Sequence, residues 1–117
     1  MECRWPDRSR AAKEMPQEKV AELAGIFRVL ADPSRLRILD LLLRDGERPV
    51  SDLAGELGMN VAAVSGQLRK MADLGFLGRS VRGNHVFYRV IDPCLPEILH
   101  RAHCLAEDGK MRGRRSA

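Results

Sequence analysis

Four side chains near the end of the chain fall on one helical line. Glu97, His100, Cys104 and Glu107 are separated by steps of three, four and three, and residues so spaced share a helix face. Imidazole, thiolate and carboxylate together are the donors that hold Zn2+ or a similar transition or soft metal ion. His103 lies beside this line, and Asp92 and Cys94 precede it. The thiols of Cys94 and Cys104 support a second chemistry, redox or reactive-sulfur sensing. A third reading is a solvated polar face with two incidental thiols. Cysteine is used three times, at Cys3, Cys94 and Cys104. An odd count argues against a disulfide framework.

A second group of residues points to nucleic acid. The stretch Val50–Leu77, VSDLAGELGMNVAAVSGQLRKMADLGFL, reads as two short amphipathic helices joined by a tight turn at Gly58. That is the pattern of a helix-turn-helix, whose second helix enters the major groove of DNA. The outer positions of this second helix are Ala62, Ala63, Ser65, Gly66, Gln67, Arg69 and Lys70. Ser65 and Gln67 have hydrogen-bonding ends for bases or phosphates, and Ala62 and Ala63 suit thymine methyls. Arg69 and Lys70 suit phosphates, which carry affinity without reading sequence. Gly66 costs a helix about 1 kcal/mol relative to Ala. Close approach of the backbone to DNA would justify that cost, and packing against another helix is the alternative. Arg79, Arg82, His85 and Arg89 make the following hairpin basic, as in a wing that touches phosphate or minor groove. The bland alternative is a solvated loop completing a sheet.

The elements that would carry these groups follow from periodicity. Val20, Leu23, Ala24, Phe27 and Leu30 predict a helix over residues 17–30. Asp32-Pro33 starts a second, to about Arg44, with Leu36, Leu39, Leu42 and Leu43 inward. Pro49 opens a third that buries Val50, Leu53, Ala54 and Leu57 and ends at Gly58. Asn60 caps a fourth, with Val64, Leu68, Met71 and Leu74 inward, ended by Gly75. The period then changes to that of strands at Phe76–Ser80 and His85–Val90, with Gly83 and Asn84 at the tip supplying positive φ. Asp92-Pro93 opens a last helical segment that runs to about Asp108, its regular part starting near Leu95 because Pro96 is awkward beyond a first turn. Its apolar stripe is Leu95, Ile98, Leu99, Ala102, Leu105 and Ala106. The fold class is mostly α (α+β), a winged helix-turn-helix in the order α-α-α-α-β-β-α. Residues 1–16 and 109–117 are expected to be flexible basic tails around a domain over residues 17–108, with plain solubility as the other use of their charge.

Composition sets bounds on function. At 117 residues the chain is one domain by length. Its formal net charge of +4 permits nucleic-acid binding without requiring it. No apolar run approaches the roughly 18 residues of a membrane span. The opening segment MECRWPDRSRAAKEMPQEK has no apolar stretch behind its charges, so no secretory signal is expected and the cytoplasm is the expected location. No phosphate loop, nucleophile elbow or acid pair marks an enzyme, and His85, His100 and His103 lack a catalytic partner. A winged helix can also serve as a protein-interaction module, but the basic hairpin and small-residue helix face favour DNA.

These motifs together resemble the ArsR/SmtB family of bacterial metalloregulatory repressors. The resemblance covers about Ala21 to Asp108 and rests on LADPSRLRILDLLL at Leu30–Leu43, the Val50–Leu77 stretch, and GNHVFYRV at Gly83–Val90. It implies a homodimer built from the first and last helices. It also implies repression by binding a double-stranded operator with imperfect two-fold symmetry, released by an inducer. The family's recognition helix often has Ser or Thr near its start and Ser-x-His-Leu in its middle. Here Ala62 and Gln67 depart from that pattern while Ser65 and Leu68 keep it, which bears on operator sequence.

The family's metal sites can be compared residue by residue. One uses paired cysteines on the third helix, in a Cys-Val-Cys-Asp-Leu-like motif. The matching stretch Pro49-Val50-Ser51-Asp52-Leu53 has neither, so arsenite or cadmium sensing there is not expected, and Cys3 could contribute only from a tail. Another lies on the last helix and pairs Asp-x-His from one subunit with His-x-x-Glu from the other. Asp92-Pro93-Cys94 and Cys104-Leu105-Ala106-Glu107 resemble its halves, with Cys replacing His and the gap one residue short. Ten residues of helix separate Cys94 from Cys104, about 15 Å, too far to bridge within one chain. A two-fold axis near Leu99 would set Cys94 across from the partner subunit's Cys104. Some relatives sense oxidants through one Cys on the second helix and one on the last. Cys104 lies near the latter position and Asp40 holds the former, leaving only a thiol pair between subunits.

Overall fold

The computed structural model describes the backbone of residues 14–116 and the side chains of residues 14–109. Cys3 and the basic residues Arg4, Arg8, Arg10 and Lys13 lie outside the described residues. The chain divides into two compact units between Asp32 and Pro33.

The first unit carries helix α1, Gln17–Leu30, over the span its periodicity predicts. Pro16 stands at its N-cap with ψ 148° and offers no side-chain cap. Its carbonyl instead accepts from the N–H groups of Lys19 and Val20, at 3.0 and 3.1 Å. Val20 and Phe27, two members of the apolar stripe, are exposed, Phe27 by 58%.

The second unit is a winged helix-turn-helix. It runs α2 (Pro33–Asp45), β1 (Arg48–Pro49), α3 (Val50–Leu57), α4 (Val61–Asp73), β2 (Leu77–Arg82), β3 (His85–Val90) and α5 (Cys94–Ser116). The strands form one antiparallel sheet in the order β1-β3-β2. The core consists of Ile38, Leu39 and Leu42 of α2, Val50, Leu53, Ala54 and Leu57 of α3, and Val64, Leu68 and Met71 of α4. Phe76, Leu77, Tyr88 and Leu95 complete it. With few aromatics available, branched aliphatic side chains fill it.

Leu36, Leu43 and Leu74, expected to point inward, do not. Leu36 and Leu43 are 41% and 39% exposed. They line a groove of about 510 Å3 whose other wall is Pro96, Leu99, His100, Ala102 and His103 of α5. A helix with Leu on nearly every turn is apolar over more than one face, and only the face of Ile38, Leu39 and Leu42 is buried. Leu74 is 50% exposed because α4 ends at Asp73 and the chain turns at Gly75, φ +87°. Arg48 and Pro49 form a third strand that a two-residue span could not announce. It pairs Arg48 with Tyr88 and Pro49 with Phe87. Pro49 therefore precedes α3 rather than opening it. Val81 and Arg82 continue β2, and the hairpin turn is Gly83-Asn84 alone. Gly83 takes φ +61°, and among the described residues no non-glycine residue has positive φ, so Asn84 does not. A glycine at the first of two turn positions suits type II′.

Helix α5 begins directly after Asp92-Pro93, as expected, and is longer than expected at its C-terminal end. It starts at Cys94 because Pro96 then falls in the first turn, where backbone N–H groups have no intrahelical acceptor. It continues through residues 109–116, expected to be a tail. No proline interrupts that stretch, and Gly109 and Gly113 each cost a helix only about 1 kcal/mol. Of its apolar stripe Leu95 is buried, Ile98 and Leu99 are half-buried, and Ala102, Leu105 and Ala106 are exposed.

Candidate nucleic-acid interface and last-helix donor set

The turn between α3 and α4 sets the reading helix. Gly58 ends α3 in the left-handed region at φ +67°. The N–H of Met59 closes the turn on the carbonyl of Ala54 at 3.1 Å. Asn60 then caps α4, its Oδ1 accepting from the N–H of Ala63 at 2.7 Å. With Val64, Leu68 and Met71 buried, the opposite face is determined. Ala62, Ala63, Gly66, Arg69 and Lys70 are exposed together on it, and Ser65 and Gln67 are half-buried on its two flanks. A Cβ built on Gly66 meets nothing within 4 Å. Packing against another helix therefore does not explain this glycine.

Gln67 has a partner that the sequence did not reveal. Nε of Arg35, in the first turn of α2, donates to its Oε1 at 2.6 Å. The two residues lie 32 positions apart, and no local pattern announces a bond of that range.

The wing presents Arg79, Arg82, His85 and Arg89, all exposed. Arg82 and His85 face each other across the end of the hairpin. Arg82 also forms an ion pair with Glu47, in the connection from α2 to β1. Its guanidinium lies 4.3 Å over the Phe87 ring. Glu47 and Phe87 were not among the residues singled out from sequence. Below the wing Arg48 bridges Asp45 and Glu56 at 3.0 and 2.8 Å. The Glu56 hydrogen bond is the main reason its pKa is raised, so it remains a cation at every ordinary pH.

On α5 the expected donors form pairs. His100 Nε2 and Cys104 Sγ are 3.7 Å apart, and His103 Nε2 lies 3.8 Å from Glu107 Oε1. Asp92 Oδ1 accepts from the N–H of Cys94 at 2.7 Å, which caps the helix and commits that oxygen. Cys94 is exposed and Cys104 half-buried, and neither is in a disulfide. Among the described residues no three His, Cys, Asp or Glu of one chain are grouped to hold a metal ion. Zn2+ takes four ligands. The His100–Cys104 pair has the right chemistry for half of such a set, so the donor types fit a site completed by a second chain.

The fold and this surface define a winged helix-turn-helix protein. The sequence profile described as "Bacterial regulatory protein, arsR family" matches residues 32–78. The chain is 37% identical over 95 residues to the HTH-type transcriptional regulator NmtR of Mycobacterium tuberculosis, covering 81% of this chain and 78% of that protein. The crystal structure of the AntR antimony-specific transcriptional repressor superposes with a TM-score of 0.76 at 34% identity, covering 94% of this chain and 99% of AntR. The homodimeric winged helix-turn-helix DNA-binding domain Mb0332 of Mycobacterium bovis superposes with a TM-score of 0.65 at 29% identity, covering 83% and 92%. The chain belongs to the arsR family of bacterial regulatory proteins, with repressors among its relatives. Among the described residues no helix is long and apolar enough to cross a membrane.

Proposed function

We propose that this chain is a homodimeric repressor that binds an operator in double-stranded DNA through α4 and the wing. It leaves that operator when a metal ion binds on α5. The observation that carries the DNA reading is the outer face of α4, where Ala62, Ala63 and Gly66 leave the backbone open to close approach and Arg69 and Lys70 flank it with charge. Ser65, Gln67, Arg82 and His85 complete the contact surface in this reading. Residues 17–108 are the working domain, and a protein with this task acts in the cytoplasm.

Arg69→Ala should weaken binding to every sequence alike and lower the salt slope by about 1, because a phosphate contact releases counterions and reads no base. Fluorescence anisotropy over a salt series measures both. A loss confined to the operator would contradict the phosphate role.

For the inducer, Asp92 and Cys94 of one subunit with His100, His103, Cys104 and Glu107 of the other are the donors. A metal held there would supply a fixed positive centre joining the two subunits. The pairing of His100 with Cys104 supports this reading, as does the antimony specificity of AntR for soft-ion sensing among relatives. Redox or reactive-sulfur sensing by Cys94 and Cys104 is the second reading, supported by the exposure of Cys94. Titrating the reduced protein with Zn2+, Cd2+, Cu+ and arsenite, while following its binding to DNA from its own promoter, separates the two. Release by one metal that Cys104→Ser abolishes supports the metal site. No release by any of them, with loss of binding on mild oxidation, supports the thiols.

A further inference from the structure

The bond between Arg35 and Gln67 constrains what Gln67 can say to a base. A guanidinium has donors and no acceptor. The amide atom facing Arg35 must therefore be the oxygen, because turning the amide round would set NH2 against N–H. A bond from a charged donor is also roughly twice as strong as one between neutral groups. At 2.6 Å and part-buried, it links the first turn of α2 to the flank of α4. The amide NH2 of Gln67 has no partner among the described residues. Gln67 lies four residues after Ala63 and three before Lys70, next to Gly66, so it borders the exposed face.

We propose that Arg35 is a positioning residue that determines base preference, by locking Gln67 with its NH2 outward as a donor. The inference rests on the reading that Gln67 meets base edges. A free glutamine pairs with adenine at two points, its oxygen accepting from the adenine amino group while its nitrogen donates to N7. With Oε1 held by Arg35, that two-point pairing is disfavoured. The outward donor instead selects edges rich in acceptors, guanine O6 and N7 or thymine O4, and rejects cytosine, whose major-groove edge is a donor.

The test is selection of operators from a library randomised at each half-site position, using the full chain and variants whose melts are recorded by circular dichroism. Wild type should prefer guanine or thymine at one position per half-site, and Gln67→Ala should flatten that position alone. Arg35→Met should raise adenine there by about 5-fold, as the freed amide recovers its two-point contact. Gln67→Glu keeps the Arg35 bond but removes the donor, and should turn the preference towards cytosine or adenine. An Arg35→Met protein that melts like wild type and selects the same base, while Gln67→Ala still alters it, overturns the role of Arg35 and leaves base reading by Gln67 standing. A Gln67→Ala profile identical to wild type overturns both. If Arg35→Met does not fold, Gln67→Glu decides, and an unmoved guanine or thymine preference overturns the proposal.

Discussion

Gly66 is costly where it stands. It occupies the middle of α4 with open space where a side chain would be, so nothing among the described residues requires it. Gly66→Ala should therefore stabilise the protein by about 1 kcal/mol through helix propensity, raising Tm by about 4 °C. It should also weaken operator binding if the backbone at that point approaches DNA. A thermal melt and an anisotropy titration on one preparation check both. Raised stability with unchanged affinity would remove Gly66 from the interface. Asn60 and Gly58 were legible from sequence because a cap and a left-handed terminus act on the next few residues. The opening of α5 at Asp92-Pro93 was legible in the same way, and there Asp92 Oδ1 accepts from the N–H of Cys94.

At the scale of elements, the wing is braced rather than loose. Arg82, singled out as a DNA contact, pairs with Glu47 and lies over Phe87. A cation so engaged meets DNA with part of its charge already neutralised. Glu47→Gln should thus strengthen binding to DNA of any sequence and steepen its salt dependence. The cost in stability should stay below about 1 kcal/mol, since the pair is partly solvated. Anisotropy at two salt concentrations and a urea melt decide it, and unchanged affinity would mean that Arg82 braces the wing without meeting DNA. The hairpin was legible from its alternation and its glycine. The short strand β1 was not, because two residues carry no period and its existence depends on Phe87 and Tyr88 lying alongside.

At the scale of the whole molecule, apolar side chains remain uncovered at both ends of the chain. On α1 these are Val20 and Phe27, and on α5 Leu105 is 67% exposed. Large exposed apolar side chains on helices mark contact surfaces when they recur along one stripe. In the proposed homodimer α5 meets its copy, so Leu105→Glu should shift the protein to monomers in sedimentation velocity. It should also lower operator affinity by more than about 10-fold, since two linked half-site contacts become independent. A dimer that survives Leu105→Glu would move the interface away from this stripe.

Local order followed from the chain itself. The spans of α1, α3 and α4 and the turns at Gly58 and Gly75 depend on periodicity, caps and positive φ, which act over a few residues. The outward face of α4 followed too, because burying Val64, Leu68 and Met71 leaves only one face for Ala62, Gly66 and Arg69. Tertiary structure alone decided which apolar face of α2 is buried, that Arg35 holds Gln67, that Glu47 holds Arg82, and that β1 joins the sheet. Each depends on where a distant segment comes to rest, and that is set by the packing of the whole core, which no short window of residues contains.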